Sequence, residues 1–331
     1  MREYVVTVQN TDVSFEVQDG ETILTAARKQ GVWPQFECGW GSCGTCKATL
    51  VDGQVKNLLP DAPALTKRDS RKNRIILCQS IPESDVTLKA RLLEEPEEHL
   101  TTADYNAVVT DVKLLTDEIA LIRLGLNRPA PYQPGQYAIL NLGGGLRRCY
   151  SMSNLPGGHE LEFIVRRYPN GPGSQTMHTL TPGMELTLEL PYGAAFVRET
   201  KRPKIFVAGG TGISAILCMV RQMSLWGDSM EQECMMFYGA RTPNDLVLMD
   251  EINELFESIK DGSIIPVVDK ADEDWDGEVG FVNNVVGDYI NKPWDQYEFY
   301  IAGPPVMVQA MRKLLGEREV DVTRVHYDSF G

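Results

Sequence analysis

Residues 38–46 read CGWGSCGTC and Cys78 follows at a distance, so four cysteines fall in the pattern C-x4-C-x2-C plus a remote fourth. That spacing belongs to plant-type 2Fe-2S sites, where thiolates from one loop and one later position converge on two irons. Gly39, Gly41 and Gly44 lie between the ligands. Their missing side chains let backbone N–H groups approach the sulfurs. Zinc is the alternative, but zinc loops favour two short C-x2-C pairs. Cys38, Cys43, Cys46 and Cys78 are therefore the expected ligands of a 2Fe-2S cluster. Cys149, Cys218 and Cys234 sit in apolar surroundings, as inert core thiols do.

Outward from the cysteine loop, EYVVTVQ at 3–9 and DVSFEV at 12–17 alternate like two hairpin strands. Residues 22–30 have a helical pattern that ends at Gly31, and ATLVDGQV and IILCQS supply further strands. A small mixed sheet with one main helix is expected over 1–93. The acidic, proline-containing run EEPEEHLTTAD at 94–104 reads as a linker. From 105 to 200, short strands between Gly/Pro turns predict an antiparallel β-barrel. From 201 to 331, the buried-strand runs KIFVAGG, ECMMFYGA, SIIPVV and EFYIAG alternate with helical stretches, the rhythm of an α/β parallel sheet.

Composition sets limits on partners. The 331 residues are 43% hydrophobic and 24% charged, ordinary for a soluble protein of two or three domains. A formal charge of −14 argues against a nucleic-acid partner. The charge is uneven: 12 Lys+Arg stand against 11 Asp+Glu before residue 93, and 20 against 35 from there on. No apolar run reaches the roughly 18 residues of a membrane span. The opening MREYVVTVQN has no signal-peptide pattern. A cytoplasmic monomer without membrane attachment is expected.

Three further motifs point to nucleotides. Arg148, Tyr150 and Ser151 form R-x-Y-S on a barrel strand, where a guanidinium can pair with a pyrophosphate and a phenol ring can lie on a planar heterocycle. Gly171, Gly173 and Ser174 stand at a helix start, where free N–H groups bind phosphate; a plain turn and N-cap is the alternative. Gly209, Gly210, Thr211, Gly212 and Ile213 follow a buried strand and open a helix, the context of a phosphate-cradling loop, though not the G-x-G-x-x-G fingerprint.

With YGAR at 238–241 and AGPPVM at 302–307, this order of motifs resembles the ferredoxin-NADP reductase superfamily. It is most similar to the reductase components of bacterial multicomponent aromatic and alkane mono- and dioxygenases. The resemblance covers essentially the whole chain. It implies a β-grasp ferredoxin domain, then FAD in the barrel with Arg148 on its pyrophosphate, Tyr150 stacked on the ring and Ser151 near N5. Gly171 to Ser174 would hold the pyrophosphate from the other side, and Phe330 would cover the flavin. It implies NADH in the last domain, with Gly209 to Ile213 under the phosphates, Tyr238, Gly239 and Arg241 near the adenosine end, and Gly303, Pro304 and Pro305 beside the nicotinamide. Two departures stand out: Ala302 where the family usually has cysteine, and Ser214-Ala215 where it usually has Ala-Pro.

The D-x-D-x-D-G run at 272–277 opens like a calcium loop, but its twelfth position is Asn283 where a glutamate is needed. The four histidines are scattered, without Rieske or diiron-bundle patterns, so the oxygen-activating centre is expected in another protein. A hydride carries two electrons and the cluster accepts one, which a flavin between them reconciles. The expected function is an NADH:acceptor oxidoreductase feeding an oxygenase or its ferredoxin. A non-catalytic relay or nucleotide-sensing subunit, or a reductase serving a deoxysugar dehydratase, are the alternatives. Only Arg241 is basic between Tyr238 and Asp245, so NADH is expected over NADPH. Lys67, Arg68, Arg71, Lys72 and Arg74, with Trp40 in the ligand loop, outline either a docking surface or a solvated helix face.

Overall fold

The computed structural model describes residues 2–94, 100–226, 233–290 and 292–329. The chain divides into two compact units, Met1–Asp104 and Tyr105–Gly331.

In the first unit a five-stranded sheet runs in the spatial order Ser14–Gln18, Glu3–Val8, Val86–Lys89, Lys47–Asp52, Arg74–Ile76. Glu3–Val8 pairs antiparallel with the first of these and parallel with Val86–Lys89, the mixed pattern of a β-grasp sheet. One helix, Ile23–Lys29, lies across it. Thr22 starts this helix by accepting the Thr25 N–H on its side-chain oxygen at 3.2 Å, which satisfies one of the amides a helix start leaves open. Gly31 stops it with φ +72°, a conformation costly for residues bearing a Cβ. Ile23, Leu24, Ala26 and Ala27 are buried against Val6, Val17, Ile76 and Leu88. Each large aliphatic in that core contributes roughly 1.5–3 kcal/mol by leaving water. Most of the expected linker, residues 95–99, lies outside the described residues.

The second unit holds two sheets. Six antiparallel strands run in the order Arg147–Ser151, Tyr137–Asn141, Glu185–Tyr192, Ala103–Leu114, Ile119–Leu126, Glu160–Arg166. The edge strands return toward each other, where Tyr150 and Phe163 meet edge to face at 6.3 Å, so the sheet is barrel-like. The other sheet has the order Glu278–Val279, Gly262–Val268, Cys234–Ala240, Lys204–Gly209, Glu298–Gly303, Val325–Ser329, with every pairing parallel. Its two central strands, Lys204–Gly209 and Glu298–Gly303, are buried at every residue, as continuous apolar runs covered on both faces must be. Strand order reverses between these two strands. Ligands of open α/β sheets bind beyond the carboxyl ends at such a switch point.

Candidate electron-transfer sites

The four cysteines of the first unit come together as two pairs. The Cys38 and Cys43 thiols share a hydrogen bond, and the Cys46 and Cys78 sulfurs share another at 3.4 Å. Main-chain amides also reach the sulfurs: Cys43 N–H donates to Cys38 Sγ and Thr45 N–H to Cys43 Sγ, each at 3.4 Å. Gly39, Gly41 and Gly44 all have positive φ, +68°, +92° and +74°, so the loop coils in a form that β-carbons disfavour. A Cβ on Gly41 would press on Gln79 Cγ at 3.1 Å. The turn carrying Cys78 is fixed by the Leu77 N–H bond to the Cys46 carbonyl at 3.1 Å. The shared thiol bond holds Cys38 up and brings Cys43 down to about 6; Cys46 is lowered by its bond with Cys78. Two thiol pairs with N–H donors on sulfur fit a two-iron cluster, since each iron takes two protein thiolates. Cys149, Cys218 and Cys234 are instead pushed up to about 12 by burial, the state of inert thiols.

In the second unit Arg148 and Tyr150 stand on the edge strand Arg147–Ser151, and the segment 171–174 folds over them. A Cβ on Gly173 would meet Arg148 Cγ at 2.5 Å and Tyr150 Oη at 3.3 Å, so only glycine permits this approach. Gly171 caps the helix Pro172–Met177. The Ser174 hydroxyl closes its own turn, donating to Gly171 O and accepting from Tyr168 N–H, both at 3.0 Å. The expected flavin residues are thus gathered at one place. Burial raises the Tyr150 hydroxyl above its ordinary range and keeps it neutral.

The nucleotide motifs fall at the carboxyl ends of the parallel strands. Gly209 and Gly210 end the strand Lys204–Gly209, and the chain turns through Gly210–Gly212 into the helix Ile213–Trp226. A Cβ on Gly212 would collide with the Ala302 carbonyl oxygen, and one on Gly209 with Met307 and Pro304. The 209–213 loop and the 303–305 turn are therefore pressed together at the switch point. The Tyr238 ring is fully buried. Its hydroxyl accepts from Val247 N–H and donates to Asp245 O. The side chain is a core ring, because its strand is sandwiched between helices, and Gly239 and Arg241 are the accessible members of that stretch. Phe330 lies outside the described residues.

One residue the sequence reading passed over enters the site. Asp328, on the last strand, accepts a hydrogen bond from the Ser151 hydroxyl at 2.9 Å and joins the nucleotide sheet to the flavin strand. A polar residue two positions ahead of the C-terminal aromatic is the only sequence signal for it.

Family comparisons agree with this geometry. The chain matches the 2Fe-2S iron-sulfur cluster binding domain over residues 6–83, the oxidoreductase FAD-binding domain over 106–196 and the oxidoreductase NAD-binding domain over 206–313. It is 34% identical to the phenol hydroxylase P5 protein of Acinetobacter pittii, covering 97% of this chain and 94% of that one. It is 30% identical to the anthranilate 1,2-dioxygenase electron transfer component of Acinetobacter baylyi, covering 95% and 92%. A solved structure, the ferredoxin reductase in carbazole 1,9a-dioxygenase, superposes with a TM-score of 0.90 at 30% identity over 100% of this chain and 99% of that one. Beside the paired thiols and the switch-point loops, these likenesses show that the chain belongs to the iron–sulfur flavoprotein oxidoreductases that form the reductase components of multicomponent oxygenases.

Proposed function

We propose that this oxidoreductase oxidises NADH and delivers the electrons one at a time to an oxygenase component or a separate ferredoxin. The observation that carries the reading is the junction of Ser151 with Asp328, which sets the carboxyl edge of the nucleotide sheet against the strand expected to hold flavin. When bound, FAD supplies the passage from a two-electron donor to a cluster that takes one electron.

The chain's residues do the holding. Arg148 pairs with the flavin pyrophosphate as a fixed cation, Tyr150 offers a neutral ring face, and the glycines at 171 and 173 let the backbone approach. Gly209 to Ile213 place N–H groups at a helix start, where phosphate is favoured. Gly303, Pro304 and Pro305 form a rigid turn beside the nicotinamide, Arg241 lies at the adenosine end, and Phe330 covers the flavin. Cys38, Cys43, Cys46 and Cys78 hold the cluster. In this reading the domains are 1–93, 105–200 and 201–331, with 94–104 as linker.

The reading places the protein in the cytoplasm as a monomer. Seven cysteines in a long chain, four of them in one cluster pattern, suit a reducing compartment better than a disulfide framework. Among the described residues no helix is long and apolar enough to cross a membrane. Measuring NADH-driven reduction of cytochrome c and of ferricyanide tests the function. Reduction of both is expected, and failure of both would favour a relay or sensing subunit.

A further inference from the structure

The helix Ile213–Trp226 begins where the nucleotide loop ends, and it is buried along most of its length. Three of its residues, Ser214, Cys218 and Arg221, are spaced by four and three positions and so lie on one face. All three donate to main-chain carbonyls of one short barrel segment that starts at the end of the flavin strand. Ser214 Oγ donates to Ser151 O at 2.6 Å, Cys218 Sγ to Asn154 O at 2.9 Å and Arg221 Nη1 to Ser153 O at 2.8 Å. Burial keeps the Cys218 thiol protonated and hence a donor.

The surroundings leave little room for slippage. Arg221 also binds Glu162 at 2.9 Å and Glu251 at 2.6 Å. Glu162 is itself held by Ser153 Oγ at 2.9 Å and Arg123 at 3.0 Å. A Cβ on Gly135 would collide with Met219 of the same helix, so barrel loop and helix are in close contact. Ser214 is 3% exposed and Ser151 8% exposed, so water does not compete for their bond. Apolar packing alone holds a helix at a distance but tolerates sliding; directed bonds to the carbonyls of residues 151, 153 and 154 also fix its register.

We infer that Ser214, Cys218 and Arg221 are positioning residues that lock the nucleotide-loop helix in register with the flavin strand, so that nicotinamide and flavin meet at hydride-transfer distance. The inference rests on the functional reading above. Misplacement of reacting groups by about 1 Å can cost on the order of 100-fold in rate.

The test uses the full-length, FAD- and cluster-loaded protein carrying Ser214→Ala with Cys218→Ala, and the restoring pair Ser214→Thr with Cys218→Ser, whose hydroxyls can donate again. Arg221 is left in place, so Glu162 keeps its partner. Anaerobic stopped-flow gives the limiting rate of flavin reduction and the NADH Kd, and amide hydrogen exchange without NADH follows Met152 and Ser153. The alanine pair is expected to lower the limiting rate by about tenfold, to leave Kd within about twofold, and to speed exchange at those amides by about tenfold. The restoring pair is expected to recover most of both. An unchanged limiting rate with normally reduced wild type would overturn the inference alone, as would lost rate with unchanged exchange. Wild-type protein that NADH does not reduce would overturn the functional reading, while the exchange result still reports whether the helix is locked.

Discussion

The Ser151 hydroxyl donates to the Asp328 carboxylate at 2.9 Å, although 177 residues of sequence separate the two. Ser151 is thereby held twice by the nucleotide-binding part of the chain, at its hydroxyl by Asp328 and at its carbonyl by Ser214. Ser151→Ala and Asp328→Ala are each expected to slow NADH-dependent flavin reduction by about tenfold or more, through lost orientation. Asp328→Asn, which still offers an acceptor oxygen, should lose less. Rapid-mixing spectroscopy of flavin bleaching ranks the three, and equal rates in all of them and wild type would remove Asp328 from the site.

Replacement of Cys38, Cys43, Cys46 or Cys78 by serine should abolish the cluster. The ligand loop is confined to the first compact unit, so FAD content and NADH-dependent ferricyanide reduction should stay within about twofold of wild type. Iron and flavin analysis with visible absorbance decides this. Flavin lost together with iron would contradict the assignment of domains.

NADH should be preferred over NADPH. Arg241 is the one cation between Tyr238 and Asp245, whereas a 2′-phosphate calls for clustered cations. Asp245, further, is an anion held charged: burial pushes its carboxyl up, but the hydrogen bonds from Arg166 and Thr242 outweigh that and lower it. A ratio of kcat/KM values of about 10 or more is expected. Equal values for the two nucleotides would refute it.

His326 is half-buried beside Arg198, whose guanidinium lies 3.0 Å from Nδ1. Burial first, and the Arg198 charge second, lower its pKa to about 4. The unfolded chain takes up that proton near pH 6.5, so the folded form loses stability as pH falls from about 6.5 toward 4 and is unaffected above. The loss is on the order of 2 kcal/mol once partial exposure is allowed for. His326→Gln should flatten the decline of Tm across that window, and an unaltered slope would show that other groups set acid lability.

Lys67, Arg68, Arg71 and Lys72 are exposed beside the ligand loop, while Arg74 and Lys47 each pair with Asp69 at 3.0 Å. The Asp69–Lys47 bond and the Ala64 N–H bond to Gly41 O at 3.2 Å tie this stretch to the loop, where Trp40 is half-buried. Reversing the four cations to Glu should slow electron delivery to an acidic partner by about tenfold at low salt and flatten its salt dependence. Insensitivity to both in stopped-flow would leave the stretch as a solvated face.

The 2Fe-2S domain was legible because metal coordination imposes a spacing on a short stretch of chain, and the glycine loops because close backbone approach excludes a side chain. Strand type was legible for a similar reason: fully buried central strands such as Lys204–Gly209 read as unbroken apolar runs. The burial of the Tyr238 ring was not legible, because a tyrosine at a strand end looks the same whether its ring faces a ligand or a core. Cys218 was read as inert, which its buried thiol supports, yet its hydrogen bond to Asn154 O depends on a partner 64 residues away that periodicity does not reveal. The same holds for Ser214, Arg221 and Asp328, whose partners belong to another layer of the fold.

Three family domains make up the chain, yet it divides into only two compact units, with the FAD-binding and NAD-binding parts in one. A boundary near residue 200 would part Glu162, whose side chain is 6% exposed, from Arg221, and would take the Ser214, Arg221 and Cys218 donors from the carbonyls of Ser151, Ser153 and Asn154. A buried charge that loses one of its ion-pair partners costs stability. Recombination between such reductases is therefore expected to inherit the two nucleotide-handling parts as a matched pair.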